Sequence, residues 1–229
     1  PFQLAYQLLT IASVAFPDDP DRDVVDLIWF PTGGGKTEAY FAVAAFLIFY
    51  RRMMHGDEAD GTAVIMRYTL RLLTTQQFQR ASTLLCACEF IRRGYKEELG
   101  QKEISIGLWV GSETTPNSFQ DAQIKYEKLL QEDKPLNPFQ IDRCPWCGTE
   151  IVPRRRSSNP AFYGIRAEAL NFSFFCPEAT CPFHAVLPIS VVDDQLFNNP
   201  PTLLIGTVDK FARMAWVDKA GEFFGAGKR

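Results

Sequence analysis

VVDLIWFPTGGGKT, Val24 to Thr37, is the stretch whose reading decides the fold. Val24 to Phe30 is predicted as an apolar strand of the kind buried in parallel sheets. Thr32 to Lys36 is a glycine-rich turn, and a long helix is predicted from Thr37 to about Met54. Glycines let a backbone curl so that successive N–H groups point inward at an anion, and the following helix adds its positive N-terminal end. Strand, glycine loop, Gly-Lys-Thr and helix occur together as a nucleotide phosphate loop requires. Pro31, Thr32, Gly33, Gly34, Gly35, Lys36, Thr37 and Glu38 are therefore the candidate ATP-binding residues. Lys36 would neutralise the β and γ phosphates and Thr37 would bind Mg²⁺, which makes these two the catalytic candidates.

Outward from the loop, helices and strands alternate, so the fold class is α/β with a parallel sheet flanked by helices. Residues 2–15 are predicted as a helix, Ala63 to Tyr68 as a strand and Thr75 to Tyr95 as a long helix. Ile104 to Val110 is the next strand, and Asn117 to Gln131 has helical periodicity. At about Pro135 the composition turns to Pro, Cys, Arg and Ser. The α/β pattern resumes with a strand at Thr202 to Ile205 and a helix from about Val208 to Trp216. This divides the chain into residues 1–134, an inserted module at 135–190, and a continuation at 191–229.

The insertion holds Cys144-Pro-Trp-Cys147-Gly and a wider pair, Cys176 and Cys181. Two pairs of thiolates suit a tetrahedral structural Zn²⁺. His184 is an alternative fourth ligand, but four cysteines are preferred because the second pair mirrors the first. A redox Cys-x-x-Cys would not need that second pair. So loop-rich a module has too little core to fold alone, and metal would supply folding energy. Arg154, Arg155 and Arg156 lie in the module, either as a grip for nucleic acid or a partner protein, or as a solvated run. Cys86 and Cys88 fall on an apolar helix and are expected in the core.

The chain has 229 residues and a net charge of −3, which argues against a blanket electrostatic nucleic-acid binder but leaves room for a local basic track. The longest apolar stretch, Ala39 to Tyr50, is too short to span a bilayer. Six cysteines without a secretory signal point to metal ligands and buried thiols, hence a cytoplasmic protein with no membrane partner. Because Pro1 opens the chain, it is expected to be cut from a longer protein.

With the loop placed, the chain resembles the N-terminal RecA-like domain of superfamily 2 helicases, which commonly keep only the TGxGKT core. The residue five positions before Gly35, where the general pattern has Gly, is Phe30. MRYTLRLLTTQQFQR, Met66 to Arg80, resembles motif Ia. LLIGTVDKFARM, Leu203 to Met214, is similar to motif Ib with Val208 where Pro is usual. The wording FPTGGGKTEAY, RYTLRLLTTQQFQRA, CPWCG and IGTVDKFARMAW resembles the helicases of DISARM antiphage defence systems. This resemblance implies an ATP-dependent helicase or translocase acting on DNA, single-stranded or duplex, with DrmB as companion protein. It implies DNA contacts at Arg67, Thr69, Arg71, Thr207 and Lys210. It also implies an adenine-reading Gln about thirty residues before the loop, assigned to Gln3 with Gln7 as competitor. The acidic motif and second RecA-like domain such helicases need for hydrolysis are not in this stretch, so the chain alone is expected to turn over ATP poorly, if at all. Two other readings are a zinc-stabilised binding module with a non-hydrolysing nucleotide site, and a small-molecule P-loop kinase. The intact Gly-Lys-Thr disfavours the first, and the motif Ia-like and Ib-like tracts disfavour the second.

Overall fold

A computed structural model describes residues 2–29, 35–69 and 71–225, with the side chains at 71–73 left out. The first helix, α1 (Phe2–Ala15), packs on α2 (Lys36–His55), with Tyr6 and Tyr40 edge to face at 5.9 Å. Strand β1 (Val64–Tyr68) leads to α3 (Arg71–Gly94), the short α4 (Lys96–Leu99) and strand β2 (Ile106–Trp109). Helix α5 (Phe119–Leu129) starts at Ser118, whose hydroxyl accepts from the Asp121 N–H, an N-cap of ordinary type. An antiparallel hairpin follows, β3 (Ile165–Glu168) with β4 (Asn171–Phe174). Strand β5 (Ile189–Ser190), helix α6 (Asp193–Asn198), strand β6 (Leu203–Thr207) and helix α7 (Val208–Ala212) complete the order.

Among the described residues four strands form one parallel sheet in the order β1-β6-β2-β5. Alternation along each strand sends its residues to two cores. Leu203 and Ile205 of β6, with Ile106 and Leu108 of β2, face α2 and α3. Leu204 and Trp109 face the opposite way, against Leu196 of α6 and Phe223. Gly107 permits that second layer, because a Cβ there would lie 2.5 Å from Leu196 Cδ2. On α3, Phe78, Ala81, Leu85 and Cys86 recur at helical spacing and are buried. Truncating Phe78 to Ala at such a site costs about 3–5 kcal/mol. The cysteine-bearing stretch shares this core, since Phe139, Ile151, Tyr163, Phe172 and Phe183 belong to the same cluster as β2 and β6.

Two expectations are corrected. Val24 to Trp29 form no strand, and Val25, Leu27 and Trp29 are 92%, 81% and 87% exposed; Phe30 lies outside the described residues. An apolar run becomes a strand only when a neighbour accepts its ladder, and among the described residues no strand pairs with these six. The helix expected through Trp216 also ends early, at Ala212, and a 3-10 turn carries Met214–Trp216.

The C-terminal end of α3 carries a buried ion network. Both Glu89 carboxylate oxygens accept from Arg92, at 2.7 and 2.8 Å, and one also accepts from Arg93 at 2.9 Å. The Ile104 N–H donates to the other at 2.9 Å. Burial opposes ionisation of Glu89, but Arg92, the Ile104 N–H and Arg93 outweigh it and hold the carboxyl below its ordinary range. Its contribution to stability is therefore present above that ordinary range and lost as pH falls through the depressed value. Glu89→Ala should lose about 3–5 kcal/mol, because it leaves Arg92 buried without its partner. Denaturant titration measures this, and a loss below about 1 kcal/mol would show that solvent compensates Arg92.

Candidate functional site

Gly35 and Lys36 mark the start of α2. Gly35 has φ +80, which glycine adopts at little cost, and a Cβ there would lie 2.6 Å from Gln3 Nε2. The amide of Gln3 is thus packed against the turn that leads into Lys36 and Thr37. Glu38, in the first turn, is ion-paired with Arg80 of α3, which ties the head of α2 to the helix that follows β1. Arg80 fell within the quoted motif Ia-like tract, but only the packing of α2 on α3 identifies its partner. Pro31, Thr32, Gly33 and Gly34 lie outside the described residues.

The C-terminal ends of parallel strands are where α/β sheets bind ligands. Pairing of β1 with β6 sets Arg67 opposite Gly206 and Tyr68 opposite Thr207. The tracts Met66 to Arg80 and Leu203 to Met214, far apart in sequence, therefore emerge side by side at one edge. Arg67 and Thr69 are exposed there; Thr207 is buried at the start of α7, where its side chain makes no capping bond. The side chain of Arg71 lies outside the described residues. Lys210 Nζ donates to Asp193 Oδ2 at 2.6 Å and lies 5.5 Å from the centre of the Trp109 ring. Burial pushes the Asp193 carboxyl up, and Lys210 opposes that shift. Gly111, Thr207, Asp209, Lys210, Ala212 and Arg213 line a cavity of about 300 Å³ at this edge. Sequence reading singled out Lys210 but missed Asp193 as its partner, because the pair forms only when α6 and α7 meet.

The second centre is the cysteine cluster. The Sγ atoms of Cys144, Cys147, Cys176 and Cys181 all lie within 4.8 Å of one another. Cys144 to Cys181 is 3.9 Å and Cys147 to Cys176 is 3.4 Å. A tetrahedral Zn²⁺ with bonds of about 2.3 Å separates its sulfurs by about 3.8 Å, so the donor set fits such an ion. The local chain explains the geometry. Cys144 N–H donates to the Thr149 carbonyl and Gly148 N–H to the Cys144 carbonyl, with Gly148 at φ +79, which folds the first pair into a knuckle. Cys176 N–H donates to the Phe183 carbonyl, and this folds the second.

His184 is not among the four ligand positions; its Nδ1 is 2.8 Å from the Cys176 carbonyl oxygen. Burial pushes the Cys144 thiol up to about 11 and raises Cys176 as well. For Cys147 burial is outweighed by hydrogen bonding with Thr149 and the neighbouring thiols, and its thiol comes down to about 7. Cys86 and Cys88 are buried on α3, as the apolar helix predicted, and burial pushes Cys88 up to about 12. Arg154, Arg155 and Arg156 are exposed, with Arg154 donating to Glu150 at 2.8 Å.

Fold and site together define a mixed α/β domain: a four-stranded parallel sheet flanked by helices, with a Gly-Lys-Thr helix start and a four-cysteine centre that could hold a metal ion such as zinc. Along its whole length the chain is similar to the DISARM protein DrmA of Bacillus paralicheniformis, with 38% identity over 245 aligned residues. These cover 100% of this chain and 21% of the relative, so the chain spans about a fifth of the length of the protein it matches. No family model matches the chain. No helix among the described residues is long and apolar enough to cross a membrane.

Proposed function

We propose that this chain is the RecA-like, ATP-binding portion of a superfamily 2 DNA helicase or translocase that serves DISARM antiphage defence in the cytoplasm. The observation that carries the reading is the convergence of two tracts at one sheet edge, set by the β1–β6 pairing, in a chain whose α2 opens on Gly35-Lys36-Thr37. A small-molecule kinase would have no physical need for two basic, threonine-bearing loops side by side at the strand ends. The similarity to DrmA supports the defence role and makes DrmB the candidate companion.

In this reading residues 31–37 hold the phosphates of ATP and Lys36 compensates their charge. Thr37 is the Mg²⁺ ligand, with Glu38 beside it. Gln3, already packed on Gly35, orients the adenine. Arg67 and Thr69, both exposed, contact one DNA strand with Arg71 as a further contact from the same tract; Thr207 is buried, so it shapes the second loop from within, and Lys210 joins the contacts by exchanging Asp193 for a phosphate. The acidic motif and second RecA-like domain that complete hydrolysis belong to the rest of the parent protein. Residues 135–190 are a zinc-stabilised insertion whose metal acts structurally, since its four positions are all filled by thiolates.

The test is ATP turnover by the full-length parent, alone and with single-stranded or duplex DNA. Turnover should rise with one DNA form, and that form is the track. DNA binding without turnover would instead favour a zinc-stabilised binding module with a non-hydrolysing nucleotide site.

A further inference from the structure

Gln140 is the one non-glycine residue among the described residues with a positive φ, +67. Left-handed backbone costs a residue with a Cβ roughly 1 kcal/mol or more, and persists only where surrounding contacts hold it. At Gln140 those contacts reach two places that are far apart in sequence. Its Nε2 donates to the Thr114 carbonyl at 3.2 Å, in the loop that leaves the C-terminal end of β2. Its Oε1 accepts from Thr75 Oγ1 at 3.4 Å, in the second turn of α3 just after the loop that leaves β1. Its own carbonyl lies 3.5 Å from Gln79 Nε2, one turn further along α3.

Neighbouring residues anchor this bridge to the cysteine stretch. Phe139 and Ile141 are buried in the core that also holds Cys144. Asn137 braces the turn, its Oδ1 accepting from the Phe139 N–H at 2.9 Å and its Nδ2 donating to the Ile141 carbonyl. The individual bonds are long, so their combined effect is on position rather than on overall stability.

We propose that Gln140 is a positioning residue that fastens the cysteine module to the start of α3 and to the loop after β2, holding the basic edge in the arrangement that engages DNA. This rests on the reading of that edge as a DNA track. The zinc module, on this view, sets the spacing of α3 and the loop after β2 through one residue, without itself touching the nucleic acid there. Glycine at this position keeps the left-handed backbone at lower cost but removes the amide, whereas asparagine tolerates the backbone and keeps a shorter one.

The experiment compares Gln140→Gly and Gln140→Asn with wild type in the full-length parent. Hydrogen exchange in residues 69–79 and 110–116 should speed up several-fold in Gln140→Gly, with metal content and thermal midpoint unchanged. The DNA concentration for half-maximal stimulation of turnover should rise about five- to tenfold in Gln140→Gly, with turnover in the absence of DNA unchanged. Gln140→Asn should recover part of both effects. Unchanged exchange in both segments would overturn the fastening. Altered exchange with an unchanged DNA requirement would overturn its role in engagement. A wild-type protein with no response to DNA would instead remove the track reading itself, while the exchange data still decide whether Gln140 joins α3 to the loop after β2.

Discussion

Cys144→Ser is expected to lower metal content well below one ion per chain and to unfold the region around residues 137–190. Cys144 is buried, and its Sγ is 3.9 Å from that of Cys181 on the second knuckle. Serine would replace a thiolate with a hydroxyl that ligates zinc poorly, and the other three sulfurs would lose the fourth corner of their tetrahedron. Structural zinc supplies apparent binding energies of about 10–16 kcal/mol near neutral pH, so losing even part of that exceeds what a domain of this size can spare. The damage should spread, because Phe139, Ile151, Phe172 and Phe183 share the core of β2 and β6. Metal analysis together with near-ultraviolet circular dichroism measures both parts. Full metal content with unchanged near-ultraviolet signal would overturn the assignment. The pH dependence has a fixed sign. Burial raises the Cys144 and Cys176 thiols, so binding must displace protons, and apparent metal affinity should increase as pH rises.

Lys36→Ala should reduce DNA-stimulated ATP turnover in the full-length parent by at least 10²–10³-fold, the usual cost of removing one preorganised electrostatic contact to the transferred group. Lys36 heads α2 and is half-buried there, outside the hydrophobic core, so the loss should fall on turnover far more than on the thermal midpoint. This pairing separates function from folding. A variant that still turns over ATP at the wild-type rate would remove Lys36, and with it the phosphate-loop reading, from the chemistry. A variant that loses turnover only because it unfolds would show a lowered midpoint in the same preparation.

Much of the architecture is legible in the amino-acid sequence. Helix α3 shows its buried face in the spacing of Phe78, Ala81, Leu85 and Cys86, and β6 shows itself as an apolar run before Thr207. Both signals are local, since a helix face or a doubly buried strand writes its period into consecutive residues. Val24 to Trp29 carried an equally strong apolar signal and yet form no strand. Side chains report the wish to be buried, whereas a strand also needs a partner for its backbone, and partners are assigned elsewhere in the chain.

The sequence by itself determined an α/β chain with a Gly-Lys-Thr helix start, two thiolate pairs set for one ion, and two tracts of Thr and basic residues. Each is a property of short spacing along the backbone. Tertiary structure alone decided that β6 lies beside β1 and so brings those tracts together, that Arg80 pairs with Glu38 and Asp193 with Lys210, and that the cysteine stretch shares the sheet's core. It also placed Gln140, a residue with no motif around it, where one amide reaches helix α3 and the loop after β2. The reason is physical: pairing between distant segments depends on which surfaces remain to be covered once the local elements have formed, and no window of consecutive residues contains that information.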